Sequence, residues 1–159
     1  MSIISMADAL SHLRLAAGYP ATQVQPYLDG AEAAAQAFLN RRVFATSDAL
    51  ETARAGLPAA LAAAASARDA DLAAAAAMTD CQASQMLRLG ALGRWAGALQ
   101  GAEEVARGIV INDGIKVGIL LLLGHLFENR ATVVAGSTVT EIPVGAQHFL
   151  LPHRVGWGG

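Results

Sequence analysis

The alanine-rich segment spanning residues 47–107, with runs such as LPAALAAAASARDADLAAAAAM, constrains the fold more than any other feature. Alanine is the strongest helix former and has almost no side chain to bury, so the segment has to be helical and cannot build a thick core. Leu50, Leu57 and Leu61, then Leu92, Trp95 and Leu99, provide apolar positions largely at three- and four-residue spacing. Met78, Thr79 and Asp80 mark a turn, with Asp80 placed to cap the helix that follows. The reading is an antiparallel hairpin of two arms, each roughly 25 residues and roughly 40 Å long. Gly56 and Pro58 are expected to kink or break the first arm. Two alanine faces approach closely but bury little area, at roughly 25 cal/mol per Å². The hairpin is therefore expected to need neighbours, either the rest of the domain or other copies of the chain.

The flanking segments read as a helical core. Ser5 caps a first helix with Asp8 in its first turn, and Met6, Ala9, Leu10 and Leu13 lie on one face. Gly18, Tyr19 and Pro20 end it. Thr22 and Gln25 form a capping-box pattern, and Pro26 falls early enough in the next helix to be tolerated. That helix runs to about Asn40, burying Val24, Tyr27, Leu28, Ala31, Ala35, Phe38 and Leu39 and turning Asp29, Glu32, Gln36 and Asn40 outward. After Gly108 comes a short extended Ile109, Val110, Ile111 segment. A helix capped by Asn112 or Asp113 follows, over residues 114–130, apolar nearly all round and so expected to be the central buried one. Residues 133–142 look extended, and Pro143 opens a last short helix through Leu151. The fold class expected is all-α: a small helical bundle in one domain (core 1–44 plus 109–151) with the hairpin 47–107 inserted. A carboxyl tail, 152–159, follows.

Composition narrows the function. At 159 residues and a formal charge of −2, the chain lacks the clustered basic footprint of a dedicated nucleic-acid binder. Ten of its eleven basic residues are arginine, with Lys116 the exception, and arginine suits fixed carboxylate pairs and interfaces. The one cysteine, Cys81, excludes an internal disulfide framework and a cysteine-rich zinc site. The amino terminus does not read as a signal peptide, so a cytosolic place of synthesis is expected. The longest uncharged apolar run, residues 117–127, falls short of the roughly 20 residues that cross a bilayer. His12, His125, His148 and His153 offer no metal-ligand spacing, and His125 with Glu128 reverses the order that di-iron bundles use. No phosphate-binding loop or nucleophile elbow is present. No catalytic residue, metal or cofactor is assigned.

The stretch ILLLLGHLFENR, residues 119–130, ends an oily helix in polar residues. Glu128 can pair with an arginine and Arg130 can serve the terminal carbonyls, a locking role. Together with IPVGAQHFLLPHR it resembles the head-tail connector (adaptor, or head-completion) family of tailed double-stranded-DNA bacteriophages. The matching positions are Gly124, His125, Leu126, Glu128, Asn129 and Arg130, then Pro143, Gly145, Leu150, Leu151 and Arg154. Phe127 stands where tyrosine is commoner. ADALSHLRL and QPYLDGAEAAAQAFLNRRVF resemble the family's opening pair of helices, so the likeness covers more than half of the chain. The hairpin departs from it, because compact members have a short connection there.

The resemblance implies a non-enzymatic virion protein, a ring of about twelve copies, which fits head-to-tail contacts between identical subunits. Such a ring binds beneath the portal protein and extends the DNA channel toward a stopper or tail-completion protein. Genomic DNA passes through without sequence-specific binding, at the neck of a virion assembled in the host bacterial cytoplasm. The tail residues His153, Arg154, Val155 and Trp157 are expected to dock onto the portal or a neighbouring subunit, ordering on assembly. The rival reading is a small helical regulatory or partner-binding protein that uses the hairpin as a docking arm.

Overall fold

The computed structural model describes residues 2–129 and 143–156. The described residues are mostly helical: α1 (Met6–His12), α2 (Ala21–Leu39), α3 (Ser47–Ala76), α4 (Cys81–Ala106), α5 (Asp113–Glu128) and α6 (Val144–Leu150), closed by a 3-10 turn at Leu151–His153. Two short strands, β1 (Val43–Phe44) and β2 (Ile109–Val110), pair in parallel with Val43 opposite Ile109. The chain forms two units, a core of residues 1–47 and 109–159 and a hairpin of residues 48–108.

In the core, α5 packs against both α2 and α6. Ile115, Ile119 and Leu123 are fully buried, as are Val24, Leu28 and Leu39 of α2 and Leu150 of α6. This is the central role expected for the oily helix, and Asn112 is its cap: the Asn112 Oδ1 accepts from the Ile115 N–H at 2.9 Å. The β1–β2 ladder is sealed by Ile109 N–H donating to the Arg42 carbonyl at 2.9 Å and Ile111 N–H to that of Phe44 at 2.8 Å. The backbone just before the hairpin thus lies beside the backbone just after it, which lets a 61-residue unit be inserted with little cost to the core.

Four sequence expectations change. The first helix ends at His12, well before Gly18, as Arg14 enters the left-handed conformation. The capping box at Thr22 does not form, because α2 starts one residue earlier, at Ala21, with Pro20 in the cap position and no side-chain cap bond. Glu32 is not outward but 6 % exposed. Its Oε1 accepts from the Ser2 hydroxyl at 2.6 Å and from the Ile3 and Ile4 N–H groups at 2.8 and 2.9 Å. The carboxylate thereby ties the amino-terminal segment to α2, supplying partners to backbone donors that α1 cannot serve. Pro58 lies inside α3, which runs unbroken from Ser47 to Ala76. A proline there removes one helix bond, and the strong helix formers on both sides carry the helix past it.

The hairpin holds together mainly at discrete points. Asp80 caps α4 as expected, its Oδ1 accepting from the Gln82 and Ala83 N–H groups. The Ser84 hydroxyl donates to the Ala75 carbonyl at 2.7 Å near the tip. Midway, Arg94 pairs with Asp71, and the Arg68 guanidinium sits 4.7 Å from the centre of the Trp95 ring. At the base the Arg54 guanidinium donates to the Ala106 and Gly108 carbonyls, at the end of α4 where helix carbonyls lack partners. Between these points burial is thin. Of the hairpin's hydrophobic side chains only Leu50, Ala75 and Ala91 are buried, and an apolar cleft of about 250 Å³ lies between the arms, lined by residues including Leu57, Leu61, Ala98 and Val105.

Asp8 joins α1 to α5. Its carboxylate accepts from the Ser5 hydroxyl at 2.7 Å and pairs with Lys116 at 3.0 Å. The hydrogen bond from Ser5, and then that from Lys116, hold its pKa below the ordinary aspartate value. A depressed carboxylate stabilises the fold above its unfolded-state pKa, and that contribution is lost as pH falls through the folded value. Thermal unfolding followed from pH 7 into the acid range is expected to show a smaller loss of Tm for Asp8→Asn than for the parent. Glu32→Ala, which strands two backbone N–H groups, is expected to cost about 2–3 kcal/mol in denaturant unfolding.

Candidate assembly surface

The residues singled out at the end of α5 and in the following segment serve three purposes. The first is close packing. A Cβ placed on Gly118, in the middle of α5, would lie 2.8 Å from Cγ and Cδ2 of Leu150, so α6 can approach α5 only because that position has no side chain. Gly124 plays a milder version of this role, with the His12 Nε2 3.4 Å from where its Cβ would be. Gly145 sits with Leu121 at ordinary contact distance. Leu150 is fully buried, whereas Leu151 is exposed.

The second purpose is termination. Asn129 caps α5, its N–H donating to the His125 carbonyl at 3.0 Å and its Nδ2 to the same oxygen at 2.8 Å. Nδ2 also lies 3.3 Å from the His125 Nδ1, which accepts from the amide in the tautomer that leaves Nδ1 unprotonated. His125 and Asn129 thus act as one stop signal, with no sign of a reacting group between them. Pro143 occupies the cap position of α6. Glu128 is exposed and makes no ion pair among the described residues. Arg130, the arginine expected to complete the lock, lies outside the described residues, as does the extended segment expected at 133–142.

The third purpose is anchoring the tail. Val155 N–H donates to the Leu39 carbonyl at 3.0 Å, and the Asn40 Nδ2 donates to the Val155 carbonyl at 3.2 Å. Asn40 ends α2 in the left-handed conformation, which asparagine tolerates better than most residues. Gly156 also has a positive φ, 70°, as the chain turns beside it. The Arg154 guanidinium lies 5.1 Å from the centre of the Phe38 ring, and the His153 Nε2 sits 3.5 Å from the Asn112 Nδ2. His153, Arg154 and Val155 are therefore held on the core within one copy, where ordering on assembly was expected, Val155 because α2 ends in a carbonyl that wants a donor. Trp157 lies outside the described residues.

Phe127, where the resemblance favours tyrosine, sits edge-on to Tyr27 at 5.6 Å and to Tyr19 at 6.4 Å between ring centres. It supplies packing to the core without a hydroxyl. Around these fixed parts some apolar side chains stay uncovered: Val117 on α5, and Val144, Phe149 and Leu151 in and just after α6. Among the described residues no cluster of three histidine, cysteine or acidic side chains could hold a metal ion. No described helix is long and apolar enough to cross a membrane.

Sequence reasoning missed the importance of Gly118 and Glu32. A glycine inside an otherwise bulky apolar helix is a signal of close approach, and Glu32 lies one turn after Leu28, on the same side of α2. Gly118→Ala is expected to destabilise the chain by about 1–3 kcal/mol through overpacking, whereas Gly56→Ala, whose Cβ meets nothing within 4 Å, is expected to stabilise it by about 0.5–1 kcal/mol. Denaturant unfolding of both variants checks this contrast. Comparisons of the chain with protein-family models, with curated proteins and with solved structures returned no match.

Proposed function

We propose that the chain is a subunit of a head-tail connector: a non-enzymatic adaptor ring that binds beneath the portal of a tailed phage and carries the DNA channel toward the tail. The observation that carries the reading is the mismatch between the two units. The core buries most of its large apolar side chains within one copy, leaving Val117, Val144, Phe149 and Leu151 uncovered, while the 61-residue hairpin buries only Leu50, Ala75 and Ala91 among its hydrophobic side chains. Apolar helix faces left uncovered in one chain gain most from contacts between copies. A ring of about twelve copies supplies such contacts head to tail.

The ordered resemblance of the two ends of the chain to connector proteins supports the same reading. In it, Gly118, Gly124, Asn129 and Leu150 set the shape of the subunit. Glu128 and Arg130 fix the next segment or the next subunit, and Trp157 meets the portal or a neighbouring copy. The formal charge of −2 suits a channel through which DNA slides, since tight phosphate binding requires clustered cations. A stopper or tail-completion protein binds the other side of the ring, in the neck of the virion.

Native mass spectrometry of the full chain mixed with the cognate portal tests this. The expected result is a stoichiometric portal complex, weakened in Arg130→Ala and lost on deletion after Leu151. A chain that ignores the portal at every ratio contradicts the proposal and favours a helical partner-binding protein with the hairpin as its docking arm.

A further inference from the structure

The outward face of α4 is apolar and uncovered: Met86, Leu89, Leu92 and Leu99 are 67 %, 66 %, 50 % and 40 % exposed. Counting in alternating fours and threes, Gln82, Met86, Leu89, Gly93, Ala96 and Gln100 fall on one seam with the seven-residue repeat of a two-helix coil. All six are exposed, and none is charged. Between its two terminal glutamines the seam is graded in size, with bulky Met86 and Leu89 toward the start of α4 and small Gly93 and Ala96 toward its end. Nothing inside the chain calls for this grading. A Cβ on Gly93 or on the adjacent Gly97 meets nothing within 4 Å, although glycine is among the poorest helix formers.

We infer that the free chain pairs with a second copy of itself through this seam, the two α4 helices running antiparallel about a twofold axis. Only that direction matches large to small. Met86 meets Ala96 of the second copy, Leu89 meets Gly93 of the second copy, and Gln82 meets Gln100 of the second copy, two amides able to hydrogen-bond. Leu92 lies beside the axis and meets its own equivalent. A parallel pairing sets Met86 on Met86 and leaves a void between the glycines, losing the packing contacts that make such seams cohere. The seam is roughly 27 Å long, and two such helices with their flanking leucines cover on the order of 1,000 Å² in total, the lower end of what a specific interface needs. The pair is therefore a weak, reversible dimer. A twofold contact closes on itself after two copies and builds no ring, so the dimer is a state of the free chain that gives way when the same face enters the head-to-tail contacts proposed above, and it stands whether or not those contacts form.

Sedimentation velocity and directed cross-linking of the full chain test the pairing. The parent is expected to shift reversibly from monomer to dimer in the range of tens of micromolar, roughly the affinity of a small interface. Leu89→Glu, on an exposed position, is expected to stay monomeric with unchanged helical circular dichroism. In a Cys81→Ser background, Met86→Cys mixed with Ala96→Cys is expected to give an oxidised cross-linked dimer, while Met86→Cys alone gives little. A parent that remains monomeric throughout that range overturns the inference. So does a Leu89→Glu dimer, or Met86→Cys cross-linking to itself as readily as in the mixture. None of these outcomes depends on portal binding.

Discussion

The contact between α5 and α6 at Gly118 is the point on which the core depends. Leu150 fills the space that a side chain on Gly118 would occupy, and this sets how α6 lies on α5 and where the segment after Leu150 begins. From there the tail reaches α2, where Leu39 and Asn40 hold Val155. The amino terminus is fixed from the other direction, by the Glu32 carboxylate on Ile3 and Ile4. Both ends of the described core thus converge on α2 through directional hydrogen bonds, while the middle of the core is held by non-directional burial around Ile119 and Leu123. Apolar burial makes this core stable, and the polar contacts decide which surfaces it presents.

The hairpin follows the opposite rule. Its arms are long because alanine propagates a helix readily, and they are joined by a few polar contacts at the tip, the middle and the base. A helix pair with so few buried side chains has little tertiary packing to add to its intrinsic helicity, and in proteins packing is the larger source of helix stability. What an isolated chain leaves uncovered on α4 is therefore open to contact with other molecules, which is the ground for the proposed connector reading.

Much of the architecture could be read from the sequence, for reasons that particular residues make plain. Asp80 and Asn112 announced their helices because a short polar side chain at a helix start has one dominant use. The oily run of α5 announced its burial. Pro58 misled because an isolated proline removes a single bond, and the alanines around it outweigh that loss. Glu32 misled because a carboxylate is usually solvated, and its partners are backbone groups nearly thirty residues away, which no local pattern encodes. The β1–β2 ladder was half visible: Ile109 and Val110 read as extended, but their pairing with Val43 and Phe44 is a long-range event. In the candidate surface, the sequence reading gave the helix end to Glu128 and Arg130, whereas the observed cap is Asn129 on the His125 carbonyl, and the docking of Val155 depends on where α2 ends in space.

The central claim is that the core buries most of its large apolar side chains in one copy and the hairpin does not. Amide hydrogen exchange, measured on the full chain across a range of protein concentrations, tests it most directly, because exchange reports the free energy of local opening element by element. The account predicts that amides in α2 and α5 exchange at rates independent of concentration, while those in α3 and α4 become more protected as concentration rises. Equal, concentration-independent protection in the core and in the hairpin would contradict it.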